Sequence, residues 1–169
     1  MSHDLKDFRA STDDYLGSVC LLVNRQVEVL IDVADFETVI AHRWTVMAGR
    51  NTFYVVRGNR DNKLVRLHRQ LLNAPENTLG DHKNLNGLDN RRKNLRPCSH
   101  SENNFNARLR KDNPSGHKGV FQYPSGSWGA RIWKNGRRFY LGVFQTAIEA
   151  HGAHARAAAV LHGEFARAV

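Results

Sequence analysis

The sequence predicts an α+β fold built from two small modules, and three observations support this prediction. Short β-rich runs separated by turn residues recur along the chain, which is typical of hairpins and small antiparallel sheets. The segments Ser99–Glu102 (SHSE) and Thr146–Glu149 (TAIE) both match the capping box that begins an α-helix. Residues 111–116 carry turn signals without apolar periodicity and are predicted to be a linker between the modules.

Length and composition limit the class of protein. The chain has 169 residues and 41% hydrophobic content, which suffices for one ordinary domain or two small ones with a modest core. No apolar run approaches the roughly 20 residues that span a bilayer, and the start lacks a hydrophobic signal segment, so we expect a soluble, cytoplasmic protein. Cys20 and Cys98 lie far apart, which excludes a disulfide framework and a four-cysteine zinc site.

The charge is unevenly distributed. Residues 1–35 hold three Lys/Arg and seven Asp/Glu, so the totals of 25 and 16 leave 22 against 9, a net +13, for residues 36–169. Such an excess on one part of a chain indicates a polyanion binder. A basic surface that serves solubility, or adhesion to ribosomes or membranes, is the alternative.

The first module is predicted to span residues 18–110, after a loose acidic tail over residues 1–17. The run VCLLVNRQVEVLID reads as a hairpin, and ADFETVIAHRW has apolar spacing closer to that of a helix. TFYVVRGNRDNKLVRLHRQLL then predicts paired strands with a turn at Gly58–Asn62.

An unusual polar segment, Gly80–Asn104, follows (GDHKNLNGLDNRRKNLRPCSHSENN). It predicts a short strand ending at Asp81 and His82, a polar loop, a second strand at NLRPC and a helix from Ser99. Asp81 and Asn103 offer the hard oxygen ligands that Mg²⁺ prefers, and a neighbouring imidazole is a candidate general base. A polar loop whose asparagines only satisfy turns is the alternative.

These residues resemble the ββα-metal motif of HNH homing endonucleases, specifically the phage and group I intron branch with an Asp-His start. The matching elements are LHR from Leu67, DH at Asp81, GLDNRRKNLR from Gly87 and SENN from Ser101. The resemblance implies that Asp81 and Asn103 hold a divalent metal, Mg²⁺ or alternatively Mn²⁺. It further implies that His82 activates the attacking water and that Asn94 braces the loop and orients His82.

The implied reaction is hydrolysis of a DNA phosphodiester that leaves 5′-phosphate and 3′-hydroxyl ends. The basic side chains of the loop are assigned to backbone phosphates because guanidinium groups bind phosphate but cannot act as bases, with solvation of the surface as the alternative. These side chains are Arg91, Arg92, Lys93 and Arg96. His68 is either a packing residue or a further catalytic group. If the chain is phage-encoded, its compartment is the bacterial host cell.

The second module, residues 117–169, predicts three consecutive strands and one helix. HKGVFQY, SWGARIWK and RRFYLGVFQT form a meander with turns at Pro124–Gly126 and Asn135–Gly136. Alternation along the strands predicts one apolar face and one cationic, aromatic face. The apolar face holds Trp128, Ala130, Ile132, Phe139 and Leu141, and the other holds Arg131, Trp133, Arg138 and Tyr140. The helix runs towards Gly163 with a small-residue stripe of Ala150, Ala153 and Ala157.

This module resembles the AP2 DNA-binding domain, with KGV, W-A-I, LG-F-T, EA and GEFA in the expected order from Lys118 to Ala166. The chain has Phe121 and Tyr123 where many plant members have arginines. The resemblance and the strand facing together assign Arg131, Trp133, Arg138 and Tyr140 to the major groove, and Lys118, Lys134 and Arg137 to phosphates. A structural sheet whose aromatics only cover the surface is the alternative.

The sequence thus predicts a site-specific endonuclease with double-stranded DNA as its partner and with neither a membrane partner nor a small-molecule substrate. One candidate metal site predicts a monomer that nicks one strand, and pairing of two copies through VCLLV is the alternative. A non-catalytic, sequence-specific DNA-binding regulator with a relic nuclease fold is the competing function.

Overall fold

The computed structural model describes residues 18–23, 27–61, 63–75 and 77–167, so the predicted tail over residues 1–17 lies outside it. The chain is a mixed α+β protein that divides into two compact units, Met1–Ser99 and His100–Val169. This division falls ahead of the linker predicted at 111–116. The helix that follows Ser99 therefore belongs to the second unit.

The first unit combines short antiparallel sheets with two helices in its described residues. Its elements are β1 Ser18–Val23, β2 Val27–Asp32, α1 Phe36–Ile40, β3 Thr45–Ala48, β4 Phe53–Gly58, β5 Leu64–Arg66, α2 Leu67–Leu71, β6 Leu79–His82 and β7 Leu95–Cys98. β1 pairs with β2, β3–β4–β5 form a three-stranded sheet, and β6 pairs with β7, all antiparallel. The predicted first hairpin and the pairing across residues 58–62 are confirmed, although Asn62 of that turn lies outside the described residues.

Two details of this unit differ from the prediction. β3 was not foreseen, and the second strand predicted within TFYVVRGNRDNKLVRLHRQLL ends at Arg66, where α2 begins. The spacing of the buried residues explains the helix. Leu67, His68 and Leu71 are buried, and residues four apart lie on one helical face.

The core of the first unit begins with period-two burial in the first hairpin. Val19, Leu21 and Val23 alternate inward on β1, as Val29 and Ile31 do on β2. These side chains pack with residues from α1, β4, α2 and β7 and with Trp44, which lies between α1 and β3. The residues from the four elements are Val39, Val55, Leu67, Leu71 and Leu95.

The connection between β6 and β7 is anchored on β2. The amide of Leu30 donates to the Leu88 carbonyl at 2.9 Å, and the amide of Asn90 donates to the Leu30 carbonyl at 2.7 Å. Gly87 approaches β4 so closely that a Cβ there would lie 2.0 Å from the Phe53 carbonyl oxygen. The loop that follows His82 is therefore fixed by backbone contacts with two other elements.

The second unit is a meander with a long helix. Its elements are α3 His100–Asn106, β8 Val120–Gln122, β9 Trp128–Lys134, β10 Arg137–Phe144 and α4 Ala147–His162. The strand order β10-β9-β8 confirms the predicted meander. Asn135 and Gly136 have φ of 52° and 73°, the left-handed pair that a two-residue type I′ hairpin requires.

The helix α4 begins at the predicted capping box. The Glu149 amide donates to the Thr146 hydroxyl at 3.2 Å, and the Glu149 carboxylate accepts from the Thr146 amide at 3.1 Å. The buried stripe is Ala150, His154 and Ala158 rather than the predicted set of three alanines, because these positions repeat every four residues along the helix. Of the predicted set, Ala153 packs against the core only partly buried.

The residues that the structure describes include no helix with the length and the apolar character to cross a membrane.

Candidate active site

His82 lies at the end of β6 within a cluster of three rings. His68 on α2 meets it edge to face, with ring centroids 4.7 Å apart, and Tyr54 on β4 lies 5.8 Å from His68 and 6.3 Å from His82. Both histidines are buried. Gly80 completes the packing, because a Cβ there would come within 2.6 Å of the His68 ring. The cluster holds the His82 imidazole in one position.

Asn90 determines which ring nitrogen of His82 carries the proton. Its side chain is fully buried, and its Nδ2 donates to the Gly87 carbonyl at 3.2 Å, which turns Oδ1 towards His82. Oδ1 lies 3.4 Å from His82 Nε2 and can only accept a hydrogen bond. The proton therefore belongs on Nε2, and Nδ1 carries the lone pair.

The surroundings of His82 favour its neutral form. Burial lowers the pKa of His82 and outweighs the Asn90 hydrogen bond and the Asp81 and Asp89 charges, which raise it. Burial also lowers the pKa of His68 to about 3, assisted by His82 and by two nearby arginines. A neutral imidazole at pH 7 is the form that a general base requires.

Asp81 precedes His82 and is ion-paired across the β6–β7 ladder. It lies opposite Arg96, whose Nε and Nη2 contact Asp81 Oδ2 at 2.8 and 2.7 Å, and both side chains are buried. Arg96, which was assigned to a DNA phosphate, thus lies inside the first unit beside a carboxylate. The ion pair stabilises the buried Asp81 carboxylate, which would be costly to bury without a partner.

The metal predicted from the sequence requires Asp81 and Asn103. The carboxylate of Asp81 fits a hard cation that keeps most of its waters, because such a cation takes only one or two protein carboxylates. Asn103 lies on α3 in the second unit. The described residues contain no group of three or more His, Cys, Asp or Glu side chains able to hold a metal, and a set of one carboxylate and one amide would not form such a group.

Asn94 is buried and braces the loop between β6 and β7. Its Nδ2 donates to Asn84 Oδ1 at 3.0 Å and to the Asp89 carbonyl at 2.7 Å, and its Oδ1 accepts from the Asn84 amide at 3.0 Å. The amide that contacts the His82 ring belongs to Asn90, not to Asn94. Asn94 therefore acts on the loop, and Asn90 acts on the histidine.

Two basic side chains of the loop are matched by carboxylates. Arg91 makes a bidentate pair with Asp89 at 2.7 Å for both contacts, and Arg92 makes one with Asp35 at 2.6 and 2.9 Å. Burial raises the pKa of Asp89, but the hydrogen bonds and charge of Arg91 outweigh this and hold that pKa below its ordinary value. Lys93 is exposed. Arg91 and Arg92 therefore tie the loop to buried acids.

The second unit brings the four predicted groove residues onto one exposed face. Arg138 lies opposite Trp133, and Tyr140 lies opposite Arg131. Arg138 lies over the Trp133 ring at 5.9 Å, Arg131 lies over the Phe121 ring at 4.8 Å, and the Tyr140 hydroxyl is 3.1 Å from that of Tyr123. The face is cationic and aromatic, as predicted.

The three residues assigned to phosphates in this unit differ in accessibility. Arg137 is exposed. Lys118 donates to the Phe105 carbonyl at 3.0 Å, and burial together with the charge of Arg167 lowers the pKa of Lys118 to about 8. Lys134 donates to the Leu161 carbonyl at the end of α4. Arg137 is thus the most accessible of the three for a phosphate.

Asn90 and Asp89 were missed from the sequence. Both lie in a segment so rich in polar residues that composition does not separate a buried polar residue from a solvated one. Complete burial of a polar side chain marks Asn90, and that property depends on β2, about 60 positions earlier in the chain.

Comparisons with protein-family models, with curated proteins and with solved structures find no match for this chain. Its function is therefore inferred from the site and from the resemblances carried by the sequence.

Proposed function

We propose that this protein is a site-specific DNA endonuclease that hydrolyses a phosphodiester in a divalent-metal-dependent reaction, leaves 5′-phosphate and 3′-hydroxyl ends, and nicks one strand. One observation carries the proposal. A buried His82, with its proton directed to Nε2 by Asn90, directly follows Asp81 at the end of the same strand. Metal-assisted hydrolysis needs at least a general base and a nearby oxygen atom that can bind the metal.

The histidine takes the proton of the attacking water. Nδ1 of His82 accepts it, and the imidazolium that forms is stabilised through Nε2–H by the Asn90 carbonyl and by the negative charges of Asp81 and Asp89. General-base assistance of this kind contributes about 10²–10⁴ in rate. The ring cluster limits rotation of the imidazole, so that Nδ1 keeps its orientation throughout the reaction.

Asp81 would hold the divalent cation, and Asn103 stays the second ligand that the sequence predicts. When bound, Mg²⁺ or Mn²⁺ supplies charge stabilisation to the phosphate and to the departing 3′ oxygen. Arg96 keeps one Asp81 oxygen in place from the opposite strand. The arginine therefore positions the carboxylate and is not proposed as a phosphate contact.

The second unit would select the DNA site. Its exposed face presents Arg131 and Arg138 beside Trp133 and Tyr140, a combination that reads base edges and stacks on sugars and bases. Other DNA-binding proteins place β-strands in the major groove. A single reading surface with a defined polarity is consistent with a monomer that addresses one strand.

A second candidate function is a non-catalytic, sequence-specific DNA-binding regulator. The observation that favours it is the Asp81–Arg96 pair, because a carboxylate already held by a guanidinium competes less well for a cation. The reading face would function identically in both cases. Cleavage distinguishes them.

The decisive experiment incubates the purified full chain with supercoiled plasmid carrying candidate sites, with Mg²⁺ and then with chelator. We expect open-circle product that requires the metal. His82→Ala should abolish it with DNA affinity nearly unchanged, Asp81→Ala should weaken metal binding and activity together, and His100→Ala, an exposed histidine, should behave as wild type. Binding without cleavage under all metal conditions, or wild-type cleavage by His82→Ala, would favour the regulator.

A further inference from the structure

The first unit contains an open, arginine-lined cleft of about 390 Å³ between β4, β5 and α2. Arg57, Arg66 and Arg69 line it together with Gln70 and Asn73. No carboxylate occurs among these lining residues. Arg57 and Arg66, which have no carboxylate partner among the described residues, give the cleft positive charge.

Arg57 is oriented by neutral groups. Its Nε and Nη2 both donate to Gln70 Oε1, at 3.1 and 2.9 Å, and its Nη1 donates to the Gly58 carbonyl at 3.3 Å. The guanidinium carbon also lies 5.5 Å from the Trp44 ring. An amide and a ring fix the direction of a guanidinium without cancelling its charge.

Arg66 and Arg69 also contact neutral groups. Arg66 lies over the Tyr54 ring at 5.8 Å, and Arg69 Nη2 donates to the Pro75 carbonyl at 3.0 Å. Arg57 and Arg66 have no carboxylate partner among the described residues, in contrast to the arginines of the β6–β7 segment. Arg91, Arg92 and Arg96 each pair with an aspartate. The charges of Arg57 and Arg66 are therefore not offset by a described carboxylate, whereas those of the three arginines of the β6–β7 segment are.

We propose that this cleft binds a phosphodiester phosphate of the DNA strand outside the scissile position. The inference rests on the proposed function in that it assumes DNA as the substrate. Guanidinium groups bind phosphate oxygens in a bidentate way, and preoriented guanidinium groups lose less entropy on binding. The helix α2 connects the cleft to the site, because His68 packs on His82 while Arg69 and Gln70 of the same helix line the cleft. A strand held here is positioned relative to His82 through one short helix.

The test measures the affinity of the full chain for a duplex containing its site, at several salt concentrations. Each phosphate contact contributes about −0.9 to the slope of log K against log salt for duplex DNA. We expect Arg57→Gln and Arg66→Gln each to weaken binding several-fold and to make the slope shallower by about 0.9. Arg60→Gln is the matched control, because Arg60 is an exposed arginine of the same β4–β5 connection that does not line the cleft. Thermal unfolding establishes that each variant is folded, and Arg66→Gln disturbs fewer contacts than Arg57→Gln.

Three outcomes would overturn the inference. They are unchanged slopes in both cleft variants, an equal change in Arg60→Gln, or binding of inorganic phosphate at micromolar concentration, at constant ionic strength, with the DNA slope unaffected by the variants. The last outcome would identify a site for a free anion. A chain that shows the predicted slopes but never cleaves DNA would refute the proposed nuclease and leave the phosphate cleft supported. Cleavage with unchanged slopes would support the proposed nuclease and refute the phosphate cleft.

Discussion

Replacing Asn90 by leucine tests the part of the site on which the chemistry depends. The substitution keeps a branched side chain of similar shape and removes both hydrogen bonds of the amide, to His82 Nε2 and to the Gly87 carbonyl. Asn90 is fully buried, so water cannot replace these bonds. Each buried partner left unsatisfied costs about 1–3 kcal/mol, and the His82 bond is long, so the free energy of unfolding should fall by about 2–4 kcal/mol.

The effect on catalysis separates a positioning role from a structural one. Without Oδ1 the imidazole loses the acceptor that fixes its tautomer. We expect a loss of about 10–100-fold in activity, the range found when the outer partner of a metal-binding histidine is removed. The Asn90 hydrogen bond raises the pKa of His82 against the effect of burial. Its removal should therefore lower that pKa further and move the acid limb of the pH–rate profile to lower pH.

Asn90→Asp should shift the pKa of His82 in the opposite direction. A carboxylate at Nε2 favours the imidazolium, so the pKa of His82 should rise and the acid limb should move to higher pH. The assay is metal-dependent plasmid nicking from about pH 5 to about pH 9 with urea unfolding of each variant in parallel. Acid limbs that stay in place in both variants, at wild-type rates, would refute the role given to Asn90.

Two further predictions concern the two units separately. The folded pKa of His68 is about 3 against an ordinary 6.5, so stability that is fully present above about pH 6.5 should be lost as the pH falls towards 3. His68→Phe should flatten this loss in urea unfolding whereas His100→Phe should not, and a loss unchanged by His68→Phe would contradict the assignment. The second unit expressed from His100 should unfold at a higher urea concentration than the same unit expressed from Asn113, because Phe105 stacks on His162 at 3.6 Å and accepts from Lys118. Equal midpoints would show that α3 adds nothing to that unit.

The elements that the sequence predicts well are those whose determinants are local. The hairpin turn at Asn135–Gly136, the capping box at Thr146 and the pairing of β1 with β2 are each set by neighbouring residues. Alternation predicted the shared face of Arg131, Trp133, Arg138 and Tyr140, because strand periodicity continues until the bulge between Tyr140 and Gly142.

The elements that the sequence does not reveal depend on distant partners. Arg92 forms an ion pair with Asp35, and the Asn90 amide donates to Leu30, in both cases across more than 50 residues of sequence. A basic run beside a strand therefore reads as a phosphate surface although its charges are matched inside the fold. The helix at Leu67–Leu71 follows from burial on one face, and its short length gives too few turns for a periodic signal.

The backbone contacts between Leu30 and the residues on either side of Asp89 matter for anyone who wishes to transplant the site. The contiguous polar segment alone cannot be transplanted, because its loop takes part of its shape from the β1–β2 hairpin near the start of the chain. A graft limited to Gly80–Asn104 would carry the site's side chains but not the backbone contacts with Leu30 that shape the loop. A successful transfer must include β2, and a library that diversifies the first hairpin would alter the histidine's surroundings without touching the histidine.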